Sequence, residues 1–538
     1  MHRSFLSEYA AGAPQALALL PPGFGDPERR VARVRRAAQR TVAPALLAEL
    51  RAQEASLPAS PARRAHLDAL AQPGTVAVVT GQQAGFLLGP LYTFYKAATA
   101  VVLARALEQE AGVRAVPVFW LQSEDHDFAE IARLRVRVPG GAVLELELSA
   151  GDTDERVAVA HRVLGGEVAA TLDALAVALG GLPHGAEFLA LVRAHYRPGA
   201  SVVGAFAGLL GAVFADEGLV LLDPRTPALA RLAQPVYRTA ITACDAIASA
   251  LAERGRELRA AGFEEQVHVR PGSPLLFFHE RAPDGPRFRL EPSREAWLLA
   301  GSKPSRTVTR SELEGLLERD PMRFSTSALL RPLVQDTLLP TAAYLAGPAE
   351  IAYFAQLPPL YAQLGLEPPI VAPRARFRCL EPATSALLGK LGLQAADLER
   401  PESELLSALG AAAPDGLPSP GVLRERLLGP LVRELDGMAA LAPALDPNLT
   451  DPVRRTRDTV EHAVGRLVDR YARALATRDQ VGAERLRKLQ AELCPNGVAQ
   501  ERCFGLPWFA CLHGVGGFKR RVLAAIRPFD AAVQDLEL

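Results

Sequence analysis

Two short runs carry most of the chemistry this sequence offers. The first is Thr80-Gly81-Gln82-Gln83-Ala84-Gly85, continuing through Gly89-Pro90 to Tyr92 and Lys96. A glycine-bearing loop between an apolar run and a helix start presents backbone N–H groups suited to carboxylate or phosphate. Tyr92 and Lys96 are four residues apart and so share one helix face. The structural alternative is that the glycines only permit a tight turn. The second run is Ser123-Glu124-Asp125-His126-Asp127. An imidazole between carboxylates is expected to have its charged form favoured and its pKa raised, and Asp125 or Asp127 could orient it as a base or acid. The alternative is a solvated acidic turn or helix cap. A third, sparser set is Gly347, Glu350 and Tyr353, with Arg331 and Arg374 beside prolines. Glu350 could accept from an ammonium or a ribose hydroxyl, or merely favour a helix dipole.

These residues need rigid elements to hold them. Thr75–Thr80 (TVAVVT) and Val116–Leu121 (VPVFWL) are apolar, β-branched runs of the kind found in buried parallel strands. Pro90 sits where a helix starts, and that helix should run to about Glu110. Strand, loop, helix and strand form a βαβ unit, which places Ser123–Asp127 at a strand's carboxyl end, where open α/β sheets bind ligands. Leu134–Val138 and Val143–Leu148 read as a hairpin across Pro139-Gly140-Gly141. Gly218–Leu222 and Thr341–Ala346 are further buried strands, and Gln266–Val269 and Pro274–Phe278 short ones. The pattern gives an α/β fold, a doubly wound parallel sheet spanning 1–380 with insertions near 132–215 and 264–300. Residues 381–500 read as a helical coiled-coil arm: a helix around Val422–Leu435 and a longer one from Thr450 to Leu493. Residues 501–538 form a tail that packs back on the core.

Composition narrows the function. Sixty basic and sixty acidic residues give no net charge over 538 residues, which argues against a nucleic-acid binder acting through bulk charge. No apolar run suits a membrane span or a secretory leader. Five cysteines, odd in number and scattered, suit a reducing cytoplasm. Cys494, Cys503, Cys511 and His513 match no metal-knuckle spacing, so no metal is expected. Only five residues are lysine, Lys96 among them, and a lysine kept amid so many arginines suggests a wanted point charge. Lys96→Met should therefore affect substrate binding more than stability.

The strings VVTGQQAG (78–85), GPLYTFYK (89–96), VPVFWLQSEDHDFAEI (116–131), LLRPLVQDTLLPTAAYLAGPAEIAYFAQL (329–357) and VAPRARF (371–377), with Gln500-Glu501-Arg502, resemble the bacillithiol-biosynthesis cysteine-adding enzymes, the BshC family. The resemblance covers essentially the whole chain; the Cys503–His513 tail departs from it. It implies a Rossmann-like core related to class I aminoacyl-tRNA synthetases, two inserted subdomains, and a coiled coil that makes a homodimer. It also implies addition of L-cysteine to glucosaminyl-malate (GlcN-Mal), with ATP activating a carboxylate. On that reading Thr80, Gly81, Gln82, Gln83, Tyr92 and Lys96 would hold carboxylate or phosphate oxygens. His126, set by Asp125 or Asp127, would take the amine proton, and Gly347, Glu350, Tyr353 and Arg374 would complete the substrate site. Another adenylyl- or nucleotidyltransferase on the same scaffold, or a non-catalytic coiled-coil scaffold, remains open at this point.

Overall fold

Five short apolar runs make one parallel sheet in the computed structural model, which describes residues 4–149, 151, 154–294, 296–409, 417–446, 449–478 and 480–538. The strands are β1 (Val76–Gln82), β2 (Ala115–Leu121), β3 (Val220–Leu222), β4 (Thr341–Ala346) and β5 (Ile370–Pro373). Their spatial order is β3–β2–β1–β4–β5, all parallel. β1 is therefore central, and the strand order reverses on either side of it. In an open α/β sheet the carboxyl ends at that reversal form the ligand crevice. All but one residue of β1 and all of β2 and β4 are buried, which is why these strands read as continuous apolar runs rather than alternating ones.

Helix α1 (Leu91–Ala111) follows β1, with Pro90 as its N-cap and left-handed Gly112 ending it. Its first three turns are buried on nearly every face, which fits the mostly apolar sequence there, and its charged residues from Arg105 on face outward or are half-buried. Its first N–H, at Leu91, is satisfied by the Phe504 carbonyl at 2.9 Å. The glycines of the preceding loop have packing reasons. A Cβ at Gly81 would lie 2.9 Å from the Trp120 carbonyl oxygen on β2, and one at Gly85 would lie 2.9 Å from Gly89 Cα. Gly89 itself has φ +64°. The Leu87 N–H is taken by the Tyr196 hydroxyl at 3.1 Å. Close approach of β2 thus accounts for Gly81, and a tight turn for Gly85 and Gly89, without a ligand.

Three further helices matter for the site: α2 (Phe128–Ala132), α3 (Arg331–Leu338) and α4 (Pro348–Phe354). Between β3 and β4 the chain also makes a five-stranded sheet from Leu276–His279, Arg287–Ser293, Ala296–Leu299, Thr307–Thr309 and Phe324–Thr326, whose strand pairs are antiparallel. Residues 133–147 form the hairpin read from the sequence. The strand expected at Gln266–Val269 is absent: Val267 pairs through both backbone groups with the side-chain amide of Gln356, at 3.0 and 2.9 Å, and so needs no ladder.

The chain divides into two compact units, Met1–Phe377 with Phe504–Gln534, and Arg378–Cys503 with Asp535–Leu538. Of the expected tail, Phe504–Gln534 thus belongs to the first unit, whereas residues 501–503 and the last four belong to the second. The second unit contains an antiparallel helical hairpin, α5 (Pro420–Leu445) and α6 (Thr450–Arg478), with α7 (Gln480–Leu493) after it. α5 is longer than expected and accommodates Pro430 and Pro443 within it. Arg457 on α6 pairs with Asp436 on α5 at 2.6 Å. Leu486, Leu489 and Leu493 of α7 are buried with Leu388, Leu398 and Leu405.

Gly81→Ala should destabilise the fold by about 1–3 kcal/mol, because the added methyl meets backbone on a central strand that cannot step aside. Urea unfolding measures this, and a loss under about 0.5 kcal/mol would show that the β1–β2 pair relaxes freely.

Candidate active site

The carboxyl ends of β1 and β4 are joined by a buried charge pair. Lys96, one turn into α1, reaches back to three acceptors: the Gly81 carbonyl at 2.8 Å, Gln82 Oε1 at 2.9 Å and Glu350 Oε2 at 2.6 Å. An ammonium has three protons to donate, so this one is fully used. Burial lowers the Lys96 pKa, and Glu350 opposes that shift. Glu350 also accepts from the Gly347 N–H at 2.7 Å and the Tyr344 hydroxyl at 2.9 Å. Burial pushes the Glu350 carboxyl up, but Lys96 and these hydrogen bonds together hold it below its ordinary value. Three of its roughly four acceptor positions are thereby occupied.

Arg331, buried on α3, donates to the Tyr344 hydroxyl (3.0 Å), the Tyr353 hydroxyl (3.3 Å) and Gln335 (2.9 Å), and lies 5.0 Å over the Tyr344 ring. Arg374 follows β5, buried, 5.6 Å from the Tyr92 ring. Lys96, Gln82, Tyr92, Gly347, Glu350, Tyr353 and Arg374 thus gather at the β1–β4–β5 edge.

The next residue, Gln83, turns toward β2. Its Nε2 donates to Asp125 Oδ2 and Glu130 Oε2, both at 2.8 Å. Asp125 Oδ1 accepts from the His126 N–H at 2.7 Å and from Arg287 at 3.2 Å. Arg287 comes from the antiparallel sheet and also donates to His126 Nδ1 at 3.1 Å. Asp127 caps α2 by accepting from the Glu130 N–H at 3.1 Å. The flanking carboxylates were expected to raise the His126 pKa. It is lowered instead: burial comes first, then the Arg287 charge, and together they outweigh Asp125 and Asp127. Burial would raise the Asp125 carboxyl, but Arg287, Gln83 and the His126 N–H bring it below its usual value.

Thr80 is not at this edge in any accessible sense. It is fully buried, and its hydroxyl donates to the Leu345 carbonyl at 3.0 Å, tying β1 to β4. Gly81 is likewise a packing position. Several residues that line or brace the site had no sequence signal that set them apart. Arg287, Glu130 and Tyr344 belong to common types and gain importance only through partners distant in the chain. Glu124 also turns inward, accepting from the Thr326 hydroxyl at 2.6 Å, and Ser123 bonds Asp223 at the end of β3.

Among the described residues no group of three or more His, Cys, Asp and Glu could hold a metal ion. Burial pushes the Cys511 thiol up to about 12, far from a ready thiolate. No described helix is long and apolar enough to cross a membrane.

Residues 2–375 match the family model described as the bacillithiol biosynthesis BshC N-terminal Rossmann-like domain, and residues 431–535 match its C-terminal coiled-coil domain. The chain belongs to the BshC family. Curated BshC relatives agree along most of their length. Proteins named "Putative cysteine ligase BshC" from Solibacter usitatus and Koribacter versatilis are each 36% identical, over 88% and 85% of this chain and 85% and 83% of their own. One of the same name from Salinibacter ruber is 34% identical over 83% of this chain and 80% of its own. For a BshC chain, the motifs around Gln83, His126 and Glu350 are thus brought to one sheet edge by the Rossmann-like domain.

The saturated ammonium of Lys96 gives it a structural role that its sequence did not suggest. Lys96→Met leaves Glu350 buried without its countercharge and should cost about 3–5 kcal/mol in urea unfolding. Lys96→Met combined with Glu350→Gln should recover most of that loss; equal destabilisation of single and double variants would show that the pair is not coupled.

Histidine burial gives a pH dependence of stability. His126, His161 and His279 all have folded pKa values below the ordinary 6.5, burial being the first cause for each. Between those depressed values and 6.5 the unfolded chain binds protons that the folded one does not. Their contribution is complete above 6.5 and is lost as pH falls through that window. The unfolding free energy should be lower at about pH 5.5 than at about pH 7.5. His279→Gln, which keeps a polar side chain without a titrating ring, should flatten part of that slope.

Proposed function

We propose that this chain is a ligase that joins the carboxyl of L-cysteine to the amino group of GlcN-Mal, giving bacillithiol, with ATP as co-substrate. The observation that supports it most is the family match over both domains, together with a strand reversal whose carboxyl ends carry the motifs quoted from the sequence. A carboxylate does not acylate an amine in water unless its oxygen is first made a leaving group. Transfer of an adenylyl or phosphoryl group from ATP to the cysteine carboxylate does this, releasing pyrophosphate or ADP. The amine then attacks the carboxyl carbon, the C–N bond forms, AMP or phosphate departs, and the amine loses a proton. We read the core as of the class I aminoacyl-tRNA synthetase type; its strand order is compatible with that kinship.

Within this reading, Arg374 and Tyr92 supply a cation and a hydroxyl at the β1–β4–β5 edge for carboxylate or phosphate oxygens. The remaining acceptor position on Glu350, with Tyr353 beside it, suits an ammonium or a ribose hydroxyl. Asp125 and Gln83 fix the opposite wall. Purified protein incubated with cysteine, GlcN-Mal and ATP should form bacillithiol by mass spectrometry, with AMP or ADP in equal amount. Serine or alanine in place of cysteine should give far less amide. Product formed equally well from any amino acid, or nucleotide consumed without amide, would point to a different transferase.

We further propose a homodimer through the helical hairpin. Leu427, Leu431, Met438, Leu441 and Leu445 of α5 are exposed at steps of three, four and seven residues, a stripe of the kind coiled coils bury. Deleting residues 452–493 would also strip α7 from its cluster with Leu388 and Leu405, so charge substitution is the cleaner test. The parent should sediment as a dimer and the Leu431→Glu, Met438→Glu, Leu441→Glu variant as a monomer. A variant that stays dimeric with its helix content intact would place the interface elsewhere.

A further inference from the structure

The antiparallel sheet inserted between β3 and β4 delivers Arg287 to the imidazole of His126, and that contact decides which proton the ring carries. A guanidinium has only donors and does not deprotonate in proteins. Nδ1, 3.1 Å from Arg287 Nη1, is therefore the accepting nitrogen of a neutral ring. Asp125 Oδ1 lies 3.6 Å from the same nitrogen, beyond hydrogen-bond distance. A neutral ring that accepts at Nδ1 has its hydrogen on Nε2. Nε2 has no hydrogen-bond partner among the described residues, and the side chain is 34% exposed.

Arg287 is itself held in place. Its Nε donates to Ser325 Oγ at 3.1 Å, its Nη2 to the Thr326 carbonyl at 2.7 Å, and its guanidinium lies 3.7 Å over the Phe277 ring. The charged groups that act on His126 are Arg287 from the inserted sheet, Arg156 from the segment before it, and Asp125 and Asp127 from its own turn.

We propose that Arg287 is a positioning residue that fixes His126 as an Nε2–H donor, and that this donor receives an oxyanion, the carboxyl oxygen or phosphate of the activated substrate, rather than taking the amine proton. The inference rests on the ligase reading only for the identity of that oxyanion. His126 keeps its proton throughout; the proton shed by the amine leaves with the phosphate group or to water. Preorganised donors of this kind strengthen as charge develops on the oxygen they face.

Two measurements test it, and the first needs no turnover. In the full-length protein with nitrogen-15-labelled histidine, the His126 ring (assigned with His126→Gln) should be the neutral Nε2–H tautomer near pH 7.5 and titrate below 6.5. An Nδ1–H tautomer, or a cation near neutral pH, would overturn the proposal whether or not ligase turnover is observed. Arg287→Lys and Arg287→Met, checked for fold by circular dichroism, should shift that tautomer balance or the pKa; an unchanged ring in a folded Arg287→Met would remove Arg287 from the role.

The second arm uses side-chain geometry. A glutamine amide nitrogen overlays Nε2 of histidine and an asparagine amide nitrogen overlays Nδ1. His126→Gln should retain turnover within about tenfold, whereas His126→Asn should lose about 10²–10³-fold, the usual cost of a missing oxyanion donor. Equal, large losses in both variants, with a pH limb present only in the parent, would restore the base role instead. If the parent makes no amide with cysteine, GlcN-Mal and ATP, the ligase reading fails while the tautomer result still stands or falls alone.

Discussion

A buried ammonium governs how the sheet edge is built. Lys96 is almost wholly removed from water, and such a charge is tolerable only if every proton finds an acceptor and a countercharge stands close by. Its acceptors come from β1 and from the start of α4, so satisfying one side chain fixes the gap between β1 and β4 at the strand reversal. Arginine would not serve here. Its planar fork is longer and needs in-plane partners, whereas a compact, three-proton head suits acceptors spread around a point. Glu350 in turn cannot drift, because Tyr344 and the Gly347 N–H hold it, and Arg331 holds Tyr344. The strand ends at the reversal thus rest on a buried charge network whose members hold one another in place.

Four of the five sheet strands were legible in the sequence because each is a short, continuous apolar run; β5 (Ile370–Pro373) was not read as a strand, being too short to stand out between prolines. The order of neighbours in space was not legible, since parallel strands meet across long crossovers whose lengths carry no pairing information. The clusters at Gln83, His126 and Glu350 were visible because they concentrate polar types where strands end. What each residue does was less visible. Lys96 looked like a charge held out for substrate, yet its partners lie inside the protein. Asp127 looked like a partner for the imidazole, yet it caps α2. Arg287 is 161 positions from His126 in the chain, and nothing local separates it from its many neighbours of the same type. The short run at Gln266–Val269 read as a strand because it alternates, but one side-chain amide took the place of a neighbouring strand.

The strand order carries a further consequence, for biosynthesis. β1 is central in the finished sheet, yet its partner on one side, β4, lies about 260 residues later in the chain. At roughly 5–20 residues per second, the emerging polypeptide holds β1 and β2 for some tens of seconds before β4 exists to cover the open edge. Throughout that time an apolar strand presents unpaired N–H and C=O groups, the condition that invites pairing with other nascent chains. The helices of residues 1–70 precede it and can shield its face, but they cannot satisfy its edge. The stretch of synthesis between residues 82 and 341 is therefore the interval in which the β1 edge stands without its later partner.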